Sequence, residues 1–225
     1  MNLTNNIKIE ALLFDLDGTL VDSALDFIDI LNAQRQDYGL TKLPENLIRN
    51  TVSDGARALT HLGFGGKTGE HDFEQKRKEL LQRYEQCVGD KAALFKGMET
   101  VLSLAEKQNI PWGIVTNKPR VYTNILLSKL QLNTRSAITL CPEDVTHSKP
   151  NPESLLLAAK HLKSEPSKTV YVGDHERDIQ AGNAADMPTV AATYGYIQDK
   201  SLIAEWKATY SIKQPDDLIS LFLNI

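Results

Sequence analysis

Five short apolar runs punctuate the chain, each closing on polar or turn-forming residues: ALLFD at 11–15, WGIVTN at 112–117, AITLC at 137–141, TVYVGD at 169–174 and TVAAT at 189–193. Continuous runs of this length, rich in Val and Ile, suit strands buried on both faces. The segments between them carry helical periodicity. Val121, Ile125, Leu126 and Leu130 recur at three- and four-residue spacing across 119–132, as do Leu155, Leu156, Ala159 and Leu162 across 152–162. Pro152 suits a first helical turn. Alternating strand and helix predicts an α/β fold, a doubly wound parallel sheet with crossover helices. A polar PDD at 215–217 reads as a helix start before the apolar residues 218–223.

One stretch breaks the alternation. Residues 23–94 show helical patterns and no convincing strand. Leu25, Ile28 and Leu31 begin one helix, and Phe73, Leu80, Leu81 and Tyr84 mark another, with a Gly-rich stretch at 63–69 between them. A segment this long exceeds an ordinary loop. It predicts an inserted α-helical subdomain at 23–94 in a discontinuous sheet domain built from 1–22 and 95–225.

Composition narrows the class. The 225 residues are 41% hydrophobic and 24% charged, enough apolar surface to offset ordering entropy and exclude intrinsic disorder. With 25 basic against 29 acidic residues, net −4, there is no basic footprint for nucleic acid. Two cysteines, Cys87 and Cys141, make no disulfide framework and read as two small buried apolar residues. The apolar stretch near the N-terminus is interrupted by Glu10, Asp15 and Asp17, unlike a signal peptide. No run approaches the roughly 18 apolar residues of a spanning helix. The expectation is a cytoplasmic protein with no membrane or nucleic-acid partner.

Four polar clusters follow the predicted strands. Asp15-Leu16-Asp17-Gly18-Thr19 closes the first: two carboxylates two residues apart can face one point, and Gly18 permits a sharp departure of the chain. Uniform usage would produce that pattern in about one chain per thousand of this length, which makes a mere polar turn the weaker explanation. Thr116-Asn117-Lys118 closes the second strand and suits either a phosphate grip or a helix N-cap. Lys149, in Ser148-Lys149-Pro150, is a point cation before a helix, suited to a phosphoryl group or to the solvated surface. Gly173-Asp174-His175-Glu176-Arg177-Asp178 brings carboxylates to the same sheet edge, where Asp174 suits a hard ion such as Mg2+ or a helix N-cap. All four lie after strand C-termini, where doubly wound sheets bind ligands.

These clusters, in this order, resemble the four motifs of the haloacid dehalogenase superfamily of phosphatases, and the resemblance covers the whole chain, with residues 23–94 in the position of the family's helical cap. DLDGTLVDS is similar to the phosphoglycolate-phosphatase-like branch. GARAL at 55–59, WGIVTNKP at 112–119, and GDHERDIQAG and GYI within 173–197 resemble a subgroup assigned to N-acetylmuramic acid 6-phosphate. Two positions depart from the commoner pattern: Asn151 stands where Asp often follows Lys-Pro, and His175 where Thr is frequent.

The resemblance implies a Mg2+-dependent phosphatase acting on a small phosphorylated metabolite, as a monomer or weak homodimer. Asp15 is the implied nucleophile and Asp17 the acid and base. Thr116, the Asn117 N–H and Lys149 are the phosphate contacts. Asp15, the Asp17 carbonyl and Asp174 hold the metal, and Asp178 steadies Lys149. The loop containing Ser53, Gly55 and Arg57 resembles the cap loop that faces the site. Both candidate substrates carry a carboxylate, for which Arg57 or Arg49 is the expected partner. Asp17 favours phosphoryl transfer over dehalogenation, because a departing halide needs no proton. His147 is placed either near the site or on the loop surface, and His61, His71 and His161 on helix surfaces. A phosphomutase on the same core stays open, as does a phospho-acceptor signalling or binding protein without turnover. The latter has to account for the second acid and the helical insert.

Overall fold

The computed structural model describes residues 9–223. The first eight residues of the stretch read for a targeting signal lie outside them. Six parallel strands form the main sheet: β1 (Ala11–Phe14), β4 (Trp112–Val115), β5 (Ile138–Leu140), β6 (Thr169–Gly173), β7 (Thr189–Ala192) and β8 (Tyr210–Ile212). Their spatial order is β5-β4-β1-β6-β7-β8. From β1 the chain winds outward through β4 to β5, then returns to the other side of β1 and runs through β6, β7 and β8. The winding direction reverses between β1 and β6, a topological switch point.

Side-chain alternation explains the layers. Leu12 and Phe14 face one side of β1 and Leu13 the other, and all three are fully buried. Each such side chain contributes about 1.5–3 kcal/mol over exposure. On the Leu12 face pack α5 (Met98–Lys107) and α6 (Arg120–Lys129), through Met98, Val101, Leu102, Leu126 and Leu127. On the Leu13 face pack α7 (Glu153–Leu162) and α8 (Glu176–Ala184), through Leu155, Ala158, Ala159 and Ala181.

Between β1 and α5 comes the helical stretch. It holds α1 (Ala24–Asp37), α2 (Glu45–Thr51), a 3-10 turn at Val52–Asp54, α3 (Gly55–Phe64) and α4 (His71–Cys87). Four helices thus stand where periodicity predicts two. Phe73, Leu80 and Tyr84 form the buried stripe of α4, whereas Leu25 of α1 is exposed. Against the strand-free expectation, a two-residue strand β3 (Ala93–Leu94) pairs antiparallel with β2 (Val21–Asp22). This ribbon is the neck where the chain leaves and re-enters the sheet layer. Arg49 straps it, placing one guanidinium nitrogen 2.9 Å from each Asp22 oxygen.

Cys141 is buried as expected, but Cys87, at the end of α4, is only partly so; burial raises its thiol to about 11. Residues 219–223 form a π-helical turn after the polar 215–217. No helix among the described residues is long and apolar enough to cross a membrane.

Candidate active site

The switch point gathers the acidic residues. Asp15 follows β1, and its N–H still donates to Val172 O at 2.9 Å, so the strand pairing fixes its backbone. Asp174 follows β6, next door. Gly18 turns between them with φ of +81°, and a Cβ there would stand 2.2 Å from an Asp174 oxygen. A Cβ on Gly195 would meet Asp174 Cβ at 2.3 Å and Gly18 O at 2.4 Å. Only residues without side chains let this carboxylate enter. Once there, Asp174 accepts from Thr19 Oγ1 at 3.0 Å, the Tyr196 N–H at 2.9 Å and Ser53 Oγ at 3.0 Å.

Lys149 is 5% exposed and surrounded by oxygen. Its Nζ stands 2.8 Å from Asp15 Oδ1, Asp178 Oδ1 and Tyr171 Oη and 2.9 Å from Val115 O, four oxygens sharing three protons. Burial works against the ammonium, yet the two carboxylates outweigh it and hold it above its ordinary range. Asp178 is spoken for on both oxygens, since Oδ2 accepts the His175 N–H at 3.1 Å.

Burial also pushes the Asp15 carboxyl up to about 6, with Lys149 pulling down and Asp178 pushing up. Asp174 is pushed to about 8 by burial and then by the charges of Asp15 and Asp178. Oxygens of Asp15, Asp174 and Asp178 all lie within 4.8 Å of one another. One ammonium against three carboxylates, two of them fully buried and Asp15 facing the cleft, leaves negative charge uncompensated. An all-oxygen donor set of this kind fits a hard divalent cation and no soft one.

Asp17 lies beside this cluster. Its Oδ1 accepts from Ser23 Oγ, and Lys118 Nζ reaches its two oxygens at 3.2 and 3.0 Å. Thr116 and Asn117 follow β4. Thr116 Oγ1 accepts the Lys118 N–H at 3.1 Å, and the Asn117 amide donates to Lys149 O at 3.0 Å, tying the second and third polar clusters together.

The helical stretch roofs these residues over a cleft of about 610 Å³. Asp15, Asp17, Thr116, Asn117 and Lys149 line its floor, and Ser53, Gly55 and Arg57 its other wall, so the structure brings these sequence-predicted positions together. Arg77, Phe27, Leu81, Tyr84 and Tyr122 also line it. The turn at Val52–Asp54 is pinned to the sheet layer. Asp54 contacts His175 Nε2 at 3.1 Å and accepts from Gln198 Nε2 at 2.8 Å, and Arg177 donates to Ser53 O at 2.8 Å. His175 and Arg177 together hold the Asp54 carboxyl below its usual value, chiefly through the His175 contact.

Some predicted positions lie elsewhere. Arg49 is engaged by Asp22 at the neck and does not line the cleft, which leaves Arg57 of the two arginines proposed for a carboxylate. His147 is exposed and bonded to Glu153, away from the floor. Asn151 accepts the Glu153 N–H at the start of α7. His175 does line the cleft, and its role is to meet Asp54. Lys118, Tyr171, Tyr196 and Arg77 were not singled out from the sequence. Lys118 stands in the Thr116-Asn117-Lys118 cluster, so its local signal is shared with the two residues before it. The tyrosines and Arg77 carry no local signal at all.

Known proteins resemble this chain in sequence and in fold. Residues 12–192 match the family model described as haloacid dehalogenase-like hydrolase. The chain is 41% identical over 212 residues to an N-acetylmuramic acid 6-phosphate phosphatase of Pseudomonas putida, covering 94% of this chain and 95% of that one. It is 39% identical over 208 residues to a phosphoglycolate phosphatase of Xanthomonas campestris pv. campestris, covering 92% and 94%. A crystal structure described as a predicted phosphoglycolate phosphatase from Haemophilus somnus superposes with a TM-score of 0.83 at 24% identity, over 95% of this chain and 98% of that one. At that identity the superposition establishes the fold.

Proposed function

The chain belongs to the haloacid dehalogenase-like hydrolase family and is a phosphatase, and from that premise we propose that it hydrolyses a phosphorylated sugar acid, N-acetylmuramic acid 6-phosphate, through an aspartyl-phosphate on Asp15. The observation that carries the substrate is the cleft. At about 610 Å³, with Arg57 and Arg77 beside Phe27, Leu81, Tyr84 and Tyr122, it has room and apolar wall for a substituted sugar and a cation for its acid group. A two-carbon phospho-acid would fill little of it. The second reading, 2-phosphoglycolate, draws on the Xanthomonas relative's name.

Asp15 is the nucleophile. Its carboxylate attacks phosphorus in line, dividing one difficult displacement into two easier ones. Lys149, already on Asp15 Oδ1, sits where the equatorial phosphoryl oxygens gather charge, and Thr116 and the Asn117 N–H complete that cradle. Asp17 gives a proton to the leaving alkoxide and then takes one from the attacking water. Asp15, Asp174 and the Asp17 carbonyl would hold Mg2+, which would supply charge neutralisation between an anionic nucleophile and an anionic ester. Asp178 orients Lys149. The helical stretch acts as a cap that keeps bulk water from the acyl-phosphate.

The test is a comparison of kcat/KM for the two phospho-acids in Mg2+, with Arg57→Ala as a second arm. The expected result favours N-acetylmuramic acid 6-phosphate by at least about tenfold, and the variant raises KM for it roughly tenfold, the worth of a charge-assisted contact. A preference for 2-phosphoglycolate, or an unchanged KM in Arg57→Ala, would overturn the respective assignment.

A further inference from the structure

Lys118, on the loop between β4 and α6, is 8% exposed, and the chemistry above gives it no part. Its ammonium donates to both Asp17 oxygens and, at 2.6 Å, to Tyr84 Oη. Those contacts use all three of its protons. The same nitrogen lies 4.7 Å from the centre of the Tyr84 ring and 5.4 Å from that of Phe27. The two rings stack on each other with centroids 4.1 Å apart. Asp17 and Lys118 belong to the sheet layer, whereas Phe27 is on α1 and Tyr84 on α4 of the helical stretch. One buried cation therefore joins the two layers at the carboxyl group to which proton transfer is assigned.

This arrangement has a physical consequence. A buried ammonium must replace its whole hydration shell, and here one carboxylate, one phenol and two ring faces do so. All of that shell except the Asp17 carboxylate comes from the helical stretch. If α1 and α4 lift away, Lys118 regains water, and its grip on Asp17 weakens with the change of surroundings.

We propose that Lys118 is a positioning residue: it fixes the Asp17 carboxyl in its working orientation, and through Tyr84 and Phe27 it does so in full only while the helical stretch covers the cleft. The proposal rests on the reading that Asp17 is the proton donor of a phosphatase. Proton delivery to the leaving group is then confined to the covered cleft.

The experiment is pre-steady-state phosphoryl transfer by the full chain in Mg2+. An alkyl phosphate, whose alkoxide leaving group needs a proton, is compared with p-nitrophenyl phosphate, whose phenolate does not. Lys118→Met should lower the ratio of first-turnover rates, alkyl over aryl, by at least about tenfold, a share of the usual general-acid contribution. Tyr84→Phe, which keeps Lys118 and its packing, should lower the ratio in the same direction by roughly threefold. It also decides the matter if Lys118→Met fails to fold. An unchanged ratio in a folded Lys118→Met, or in Tyr84→Phe, overturns the proposal, because a merely structural loss slows both substrates alike. Failure of the unaltered protein to release phosphate from either ester would instead overturn the phosphatase reading beneath it.

Discussion

Asp15 carries two burdens at once: it is the assigned nucleophile, and it is one of two carboxylates holding the Lys149 ammonium, each at 2.8 Å. Asp15→Asn separates them. The amide cannot attack phosphorus, so turnover should fall below detection in a phosphate-release assay. The fold should persist in circular dichroism, since Asp178 keeps its bond to Lys149. Measurable turnover by Asp15→Asn would remove the aspartyl-phosphate route. The same residue scale shows what was legible in the sequence. Asp15, Thr116 and Asp174 declare themselves because each immediately follows an apolar strand, with Asp17 two residues past Asp15, and strand ends in such sheets are where ligands bind; Lys149 lies further on, past the 3-10 turn Pro142–Asp144, and is legible only as the cation of the Ser148-Lys149-Pro150 cluster before α7. Tyr171 Oη on Lys149 and Tyr196 N on Asp174 do not, because nothing local distinguishes a tyrosine that packs from one that packs and also hydrogen-bonds. Their partners stand 22 residues away in the chain in both cases.

Elements decide how precisely those residues are aimed. At the start of α8, His175 is the N-cap: its ring accepts the Arg177 N–H at 3.2 Å, and Asp178 reaches back to the His175 N–H. The capping box thereby sets the direction of the Asp178 carboxylate, whose other oxygen takes Lys149. Asp178→Asn should cost about 3 kcal/mol in urea unfolding, because it leaves a buried ammonium short of one charge partner. A change under about 1 kcal/mol would mean that Asp15, Tyr171 and Val115 suffice to hold Lys149. β1, β4, β6 and β7, buried throughout, and α7 were legible because their apolar runs are uninterrupted or periodic; β5 was legible from its run AITLC although it is an edge strand with only Leu140 buried, not a strand buried on both faces. The sheet's other edge strand, β8 (Tyr210–Ile212), was not: flanked by Thr209 and Lys213 and with Ser211 at its centre, it lacks the apolar run that marks β5. The ribbon β2–β3 was not, because two residues per strand carry no period. α2 was missed because only Ile48 and Thr51 of its seven residues are buried, too few to write a stripe.

The whole molecule is mildly acidic, with a net charge of −4, and three of its carboxylates, Asp15 at the floor of the cleft with Asp174 and Asp178 next to it, crowd together where an anionic ester has to bind. That contradiction resolves through linkage between protons and metal. In the metal-free protein Asp15 and Asp174 are raised to about 6 and about 8, from an ordinary value near 3.8. For a raised carboxyl the folded state holds its proton while the unfolded state has already released it. The contribution of these two groups to stability is therefore complete below about pH 4 and is lost as pH rises through 6 to 8. A divalent cation bound by the same oxygens competes with those protons, and binding at pH 6 should expel roughly one to two of them. The Mg2+-induced rise in melting temperature should consequently be larger at pH 8 than at pH 5.5, and the metal-free melting temperature should fall over the same interval. Thermal unfolding with and without Mg2+ across that range checks both signs. A Mg2+ effect independent of pH would show that the cation does not sit on Asp15 and Asp174. A positive outcome would tie the stability of the switch point between β1 and β6 to the loading of the site, so that the acidic cluster becomes a phosphate site only once its charge has been met.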